Sequence, residues 1–156
     1  MSNRRKKVAV TGGFDPFHDG HLDHVVKAMQ LGDHLIVIVA RDSQLITKKG
    51  YYYIPFEARK TIVSLVIKGL LGEYRCTSFE VVENIDPGIT SSETIRTYRP
   101  DILAKGGDRT ADNMPLDEIT VCNEIDCQVV YGVGDLLNSS SRIGSASSNT
   151  HRPKDG

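Results

Sequence analysis

Short apolar runs alternate along the chain with longer segments whose apolar residues recur at helical spacing. KVAV (7–10) and HLIVIVA (34–40) are continuous and rich in β-branched residues, which predicts strands buried on both faces of a sheet. The segments YRCTSFEVVE (74–83), DILAK (101–105) and CQVVYG (127–132) predict three further strands. The apolar pattern therefore predicts five strands.

The segments between these strands predict four helices, because their apolar residues repeat every three or four positions. The helices are expected over residues 19–32, 55–70, 91–100 and 114–125. The residues expected to face inward are Leu22, Val25, Val26 and Met29 in the first helix and Ile62, Leu65, Val66 and Leu70 in the second. The polar stretches 41–53 and 106–113 are predicted to be loops.

Regular alternation of strands and helices is typical of a parallel sheet covered by helices on both faces. We therefore predict an α/β fold with three layers, a Rossmann-like α/β/α arrangement around a five-stranded parallel sheet. Residues 1–143 are expected to form one domain. Residues 144–156 are rich in serine, asparagine and glycine, which predicts a mobile polar tail.

Composition narrows the function classes. The formal net charge of −1 disfavours general nucleic-acid binding, which needs a basic surface. No apolar run approaches the ~20 residues that span a membrane, and the basic start lacks the apolar segment of a secretory signal. Cys76, Cys122 and Cys127 are odd in number and lack CxxC spacing, so free thiols in a reducing cytoplasm are expected.

The stretch GGFDPFHDGH (12–21) follows the first predicted strand and opens the first predicted helix. Ligands of such sheets bind beyond the carboxyl ends of the strands. Gly12 and Gly13 allow close approach of a ligand to the backbone. The N–H groups at a helix start favour phosphate, and His18 and His21 add side-chain donors there. The stretch therefore indicates a phosphate cradle.

Three other interpretations of this stretch stay open. His18, His21, His24 and Asp23 form a dense cluster like that of a metal site, although no cysteine lies near and the helical HxxxH spacing is absent. The histidines are otherwise ordinary surface or helix-capping residues. A dinucleotide fingerprint is disfavoured, because the glycines fit neither GxGxxG nor a Walker loop.

GGFDPFHDGH resembles the HxGH motif of the nucleotidylyltransferase (cytidylyltransferase-like) family, in its longer form G-x-F-D-x-x-H-x-G-H. Members of that family transfer a nucleoside monophosphate from a nucleoside triphosphate to a phosphate and release pyrophosphate. Both histidines and the adjoining backbone hold the triphosphate there. The resemblance implies nucleotide contacts by Gly12, Gly13, Phe14, His18, Gly20 and His21.

Two further motifs resemble the same family. KGGD (105–108) is similar to a segment of the heptose-1-phosphate adenylyltransferases, and NSSSRI (138–143) is similar to the S-T-T-x-I stretch of those enzymes and of glycerol-3-phosphate cytidylyltransferases. Hydroxyls at a helix start can bind phosphate oxygens. The residues that this adds to the expected nucleotide site are Lys105, Gly107, Asp108, Ser139, Ser140 and Ser141.

The family resemblance also implies roles for three groups of side chains. His18, His21 and Lys48 are expected to be catalytic, because they would stabilise charge and bring the attacking phosphate close. Asp15, Lys48 and Arg59 are expected to bind substrate, with a structural salt bridge an equal alternative for Arg59. The nucleotide is expected to bring Mg²⁺ with it, so no protein metal site is predicted.

We expect transfer of a nucleoside monophosphate from ATP or CTP to a phosphorylated sugar or polyol. A cofactor-pathway adenylyltransferase of the same family and a non-catalytic nucleotide-binding protein are the alternatives, and a metal-dependent hydrolase is a third class. A homodimer is suggested by the resemblance. The run Tyr51–Tyr53 has no family counterpart, and a substrate wall or a dimer surface both fit it.

Overall fold

The computed structural model describes residues 4–107 and 109–134. Five strands form one parallel sheet in the order β3-β2-β1-β4-β5, which confirms the predicted α/β fold. The strands are β1 (Lys7–Gly12), β2 (His34–Val39), β3 (Ser78–Glu83), β4 (Ile102–Ala104) and β5 (Gln128–Val130). The helices of the described part are α1 (Asp19–Ala28), α2 (Asp42–Lys49), α3 (Phe56–Leu70), α4 (Ser92–Tyr98) and α5 (Leu116–Glu124).

The strand order reverses at β1. The chain leaves β1 for β2 and β3 on one side and then crosses to β4 and β5 on the other side. Val10 pairs with Val37 of β2, and Ala9 pairs with Leu103 of β4. The crevice beyond the carboxyl ends of β1 and β4 is therefore the expected ligand site of this topology.

Helices cover both faces of the sheet. Val8 and Val10 of β1 pack on one face with Val25 of α1 and Val63 of α3. On the opposite face Ala9 packs in a second cluster with residues of α4 and α5, including Ile95, Val121 and Cys122. Alternate residues of β1 are thus buried on opposite sides, as expected for a central parallel strand.

The predicted inward face of α3 is wrong at two positions. Ile62 and Leu65 are 37% and 64% exposed, whereas Arg59, Val63 and Ile67 are buried. The helix turns this face inward because the Arg59 guanidinium hydrogen-bonds to backbone carbonyls beneath it. Sequence periodicity ranks arginine as an outward residue and therefore misplaces the face.

Two other sequence expectations change. Leu22 of α1 is 40% exposed, so this position does not join the inward face. The stretch predicted to be a loop, 41–53, contains helix α2. Its start is fixed by Gln44, whose Oε1 accepts a hydrogen bond from the Arg41 N–H, and it ends at Gly50 with φ of 87°. In the sequence of this helix, the adjacent pair Leu45 and Ile46 is the one apolar stretch, which is too short to show helical periodicity.

Other predictions for the chain have mixed outcomes. The three cysteines are buried and free, as predicted. No helix in the described ranges is long and apolar enough to cross a membrane. The proposed boundary between the domain and its tail, near residue 143, lies outside the described residues.

Candidate active site

The two histidines of the β1–α1 loop cap helix α1. Nδ1 of His18, the N-cap residue, accepts a hydrogen bond from the Gly20 N–H over 3.1 Å. Nδ1 of His21 accepts from the His18 N–H over 3.3 Å, and the two rings stack with centroids 3.8 Å apart. Both histidines therefore cap the helix, as one of the alternative interpretations expected, and these hydrogen bonds fix the orientation of both imidazoles.

The same hydrogen bonds determine the protonation of the rings. Since Nδ1 accepts in each ring, the proton of the neutral imidazole is assigned to Nε2. Burial lowers the pKa of His21 to about 3, assisted by the nearby His18, His24 and Lys49 and opposed by a hydrogen bond with the Pro16 backbone. Burial also lowers the pKa of His18. Both rings are thus neutral N–H donors near pH 7.

Lys105 lies at the end of β4 and is 9% exposed. Its Nζ donates a hydrogen bond to Thr11 Oγ1 over 2.9 Å and lies 3.3 Å from Glu118 Oε1. The lysine therefore connects β4 with the end of β1 and with helix α5. This is the position where the topology expects a ligand.

Gly106 allows α1 to approach the β4 end. A Cβ atom at this position would lie 2.6 Å from the Val133 carbonyl oxygen and 2.7 Å from His24 Nδ1. His24 Nδ1 itself hydrogen-bonds to that carbonyl. His24 thus connects α1 to the segment that follows β5, and a side chain at Gly106 would separate them.

Lys48 and Lys49 end helix α2 but have different surroundings. Lys49 Nζ lies 3.4 Å from Asp15 Oδ2 and near the faces of Tyr51 and Tyr53, at 5.0 and 5.3 Å from the ring centroids. Lys48 instead lines the ligand clefts described below. Desolvation lowers the pKa of Lys48, and the neighbouring cations Arg109, Lys105 and Lys49 lower it further, while Glu118 opposes them.

Two of the residues expected to bind substrate are held by the protein itself. The Asp15 carboxylate is buried and accepts hydrogen bonds from the N–H groups of Tyr53 and Ile54. The Arg59 guanidinium is fully buried and forms the structural salt bridge that was the alternative to substrate binding. Its hydrogen-bond acceptors are the carbonyls of Gly13, Ala40 and Ile54 and the carboxylate of Asp42.

Two adjoining clefts of about 280 and 150 Å³ meet at Gly13, Leu45 and Lys48. The larger one also contacts Phe14, Asp15, His21 and Lys49. The smaller one also contacts Thr11, Lys105, Arg109, Glu118 and the β3–α4 segment at Asn84, Ile89, Thr90 and Ser91. The histidine loop and the lysine corner therefore flank one continuous depression.

Several site predictions stay untested by this geometry. Asp108, Ser139, Ser140 and Ser141 lie outside the described residues. Within the described ranges, no group of three His, Cys, Asp or Glu side chains is arranged to hold a metal ion, so the cluster of His18, His21, His24 and Asp23 does not form one.

Sequence reasoning missed several residues of the depression, among them Arg109, Thr11 and Glu118. Thr11 lies near the end of β1, and its hydroxyl accepts a hydrogen bond from Lys105. The sequence signal that could have found it is its position directly before Gly12 and Gly13. Glu118 is an inward-facing acid of α5 within the acidic pair Asp117–Glu118. Nothing in the pair distinguishes the buried acid from the exposed one.

Residues 9–148 match the sequence model of the family described as cytidylyltransferase-like. The chain is 33% identical over 135 residues to an FAD synthase of Thermococcus sibiricus, which covers 83% of this chain and 82% of that protein. It is 37% identical over 117 residues to an FAD synthase of Pyrococcus abyssi, with 74% and 72% covered.

Two other similarities are more limited in scope. The bifunctional protein HldE of Syntrophotalea carbinolica is 36% identical over 112 residues, which cover 71% of this chain but 21% of that protein. The fold is similar to the crystal structure of a lipopolysaccharide core biosynthesis protein from Thermoplasma volcanium, with a TM-score of 0.60 and 23% identity. That match covers 87% of this chain and 99% of the other.

Proposed function

Because the chain belongs to the cytidylyltransferase-like family and is a nucleotidyltransferase, we propose that it transfers AMP from ATP to the phosphate of FMN. The products are FAD and pyrophosphate. Support comes from FAD synthases that align over most of their own length with this chain. This acceptor fits the cofactor-pathway alternative and replaces the phosphorylated sugar expected from the sequence motifs.

The observation that carries the proposal is the pair of clefts that share Lys48. An oxygen of the FMN phosphate attacks the α-phosphorus of ATP, a P–O bond to that oxygen forms, and the bond to pyrophosphate breaks. Two anions must therefore meet. A cation shared by both clefts reduces their repulsion and brings the reacting groups together.

The cleft beside His21 is proposed to hold the triphosphate. Phosphate is favoured there by the N–H groups at the start of α1 and by His21, which lines this cleft, and the N–H donor of His18, whose ring stacks on His21, is the second proposed contact. Gly13 and Phe14, which line this cleft, are proposed to complete the contact through the loop backbone, together with Gly12 from the adjoining cleft and Gly20 from the first turn of α1. Gly107, Asp108 and the serines Ser139, Ser140 and Ser141 remain proposed nucleotide contacts, and Mg²⁺ is proposed to arrive with the nucleotide.

The smaller cleft is proposed to hold the acceptor. Lys48, Lys105 and Arg109 supply positive charge for its phosphate. Ile89, which lines the cleft, is 51% exposed. An exposed apolar side chain at this position suits the flat ring system of a flavin better than a sugar, because sugars offer hydroxyls on most of their surface.

The proposal is tested by incubating the protein with Mg²⁺, ATP and FMN and separating the products by chromatography. FAD and pyrophosphate are expected in equal amounts, and CTP in place of ATP is expected to give much less product. The absence of FAD while other phosphates accept AMP would exclude FMN as the acceptor.

A sugar 1-phosphate is the second candidate acceptor. It is favoured by the K-G-G-D segment (105–108) and by the 36% identity with HldE. Heptose 1-phosphate and glycerol 3-phosphate are therefore included as acceptors in the same assay. A homodimer is also proposed, and sedimentation measures it directly.

A further inference from the structure

Glu118 lines the smaller cleft and its carboxylate is buried. The residue is 4% exposed, and its Oε2 accepts a hydrogen bond from the Ser91 N–H over 3.0 Å. Oε1 accepts no hydrogen bond from any residue in the ranges 4–107 and 109–134. Lys105 Nζ lies 3.3 Å away as an ion-pair partner, and one of its three N–H groups donates a hydrogen bond to Thr11 Oγ1.

A carboxylate oxygen that pairs with one cation and accepts no hydrogen bond still has lone pairs available, so Oε1 is expected to have a hydrogen-bond donor in the working enzyme. A buried polar atom without a hydrogen bond is unfavourable, and a charged one more so. Only a group with an O–H or N–H can satisfy Oε1. A phosphate cannot, since it is itself an anionic acceptor and the Glu118 carboxylate repels it.

The surrounding charges indicate where such a donor lies on the ligand. Lys48, Lys105 and Arg109 attract the phosphate to the same small cleft that Glu118 lines. The donor must therefore lie within a few bonds of that phosphate. In the cleft of about 150 Å³, the carbon chain that carries the phosphate is the part of the acceptor that can meet both groups.

We infer that Glu118 Oε1 accepts a hydrogen bond from a hydroxyl on the carbon chain next to the acceptor's phosphate. The enzyme would thereby select hydroxylated phosphate esters over plain alkyl phosphates. This inference rests on the proposed function in one respect, namely that the smaller cleft holds the acceptor phosphate. It holds equally for the ribityl chain of FMN and for a polyol or sugar phosphate.

Calorimetric titration with two probes tests the inference. Ribitol 5-phosphate and pentyl phosphate have the same chain length and phosphate, and they differ in hydroxyls. We compare the ratio of their affinities in the parent, in Glu118→Met and in Glu124→Gln. The control removes an exposed acid from the same helix, and its partner Arg96 does not line the cleft. A change that acts only through Lys105 shifts both affinities together and leaves the ratio unchanged.

The ratio is expected to fall about 10-fold or more in Glu118→Met, because hydrogen bonds to charged groups contribute about 1.5–3 kcal/mol. It should stay within about twofold of the parent in Glu124→Gln. Glu118→Asp keeps the charge but withdraws the oxygens, so it should also lower the ratio, and it replaces the methionine variant if that variant does not fold.

The inference is overturned if the ratio stays within about twofold of the parent in both Glu118 variants, or if neither probe binds the parent. A loss of ATP affinity in place of ribitol 5-phosphate affinity also overturns it, since the donor would then be on the nucleotide. FAD synthesis by the parent is measured separately. If FAD synthesis fails while the Glu118 variants still lower the affinity ratio, FMN is excluded as the acceptor and the role of Glu118 stands. If FAD synthesis succeeds while the ratio is unchanged in those variants, the role of Glu118 is excluded and the proposed function stands.

Discussion

Lys105 Nζ donates a hydrogen bond to Thr11 Oγ1 over 2.9 Å and so joins the carboxyl ends of β4 and β1. These are the two strands between which the strand order reverses. Topology, and not only a motif, thus places this buried cation beside the glycine-rich loop. The proposed phosphate chemistry depends on this arrangement, because it puts charge where two anionic substrates must meet.

Replacement of His18 by asparagine should separate helix capping from catalysis. The asparagine oxygen can still accept the Gly20 N–H, so the unfolding free energy should stay within about 0.5 kcal/mol of the parent. The Nε2–H donor is lost, which should lower kcat about 10²–10³-fold. Urea unfolding and steady-state pyrophosphate release measure the two effects.

Alanine at position 18 is the matched variant. It removes the cap as well, so it should lose about 1 kcal/mol of stability in addition to the same loss of rate. An asparagine variant with parental kcat would show that the imidazole serves only as a cap.

The lowered pKa of Lys48 predicts a pH dependence for acceptor use. The protonated amine attracts the phosphate, so kcat/KM should fall with rising pH at a pH below the ordinary lysine value of 10.5. Lys48→Arg should remove this fall, because guanidinium stays charged. Lys48→Met should lower kcat/KM about 10²-fold at neutral pH.

Lys68→Arg, an exposed substitution on α3, is the control and should leave the pH profile unchanged. The prediction is checked by measuring kcat/KM for the acceptor between pH 7 and 10 in the parent and in the three variants. A Lys48→Met profile with the parental decline would assign that ionisation to another group.

The sequence could predict the parts of this molecule that follow from local pattern. Strands β1 and β2 are continuous β-branched runs, and the loop that carries His18 and His21 has a specific spacing. Both are properties of neighbouring residues. They located the sheet, the start of α1 and one wall of the cleft without knowledge of the tertiary structure.

The depressed pKa of His21, about 3 against an ordinary 6.5, predicts acid sensitivity of the fold. At pH values between these two, the His21 ring is protonated in the unfolded chain and neutral in the folded chain, so the free energy of unfolding falls as pH falls. The contribution should be roughly 2 kcal/mol between pH 7 and pH 5. Urea unfolding at both pH values measures it.

His21→Asn keeps an acceptor for the His18 N–H and removes this titration. Its stability should therefore fall less than that of the parent over the same pH interval, and the remaining fall reports His18 and His24, whose pKa values are also lowered. Equal losses in the variant and the parent would contradict the assignment to His21.

Arg59→Lys should destabilise the fold by about 3 kcal/mol, because one ammonium cannot serve the carbonyls and the carboxylate that the buried guanidinium binds. Arg75→Lys is the control, since the Arg75 side chain is 49% exposed in its ion pair with Asp33 and should change stability by less than about 1 kcal/mol. Chemical denaturation compares the two variants. Equal stabilities would argue against a structural role for Arg59.

The remaining features could not be predicted because they depend on distant contacts. Arg59 is buried because carbonyls from three separate segments converge on it, which no helical periodicity encodes. Glu118 faces the cleft while its neighbour Asp117 faces solvent, and the sequence shows only two adjacent acids. Helix α2 is stabilised by Gln44, whose amide also reaches the carbonyls of Asp86 and Gly88.

The most direct test follows the α-phosphate of ATP. The protein is incubated with Mg²⁺, FMN and ATP labelled at the α-phosphorus, and the label is located by chromatography. The account predicts that the label appears in FAD and that His18→Asn slows its appearance about 10²–10³-fold. Label that ends in free AMP or ADP, with no transfer to any phosphorylated acceptor, would contradict nucleotidyl transfer at this cleft.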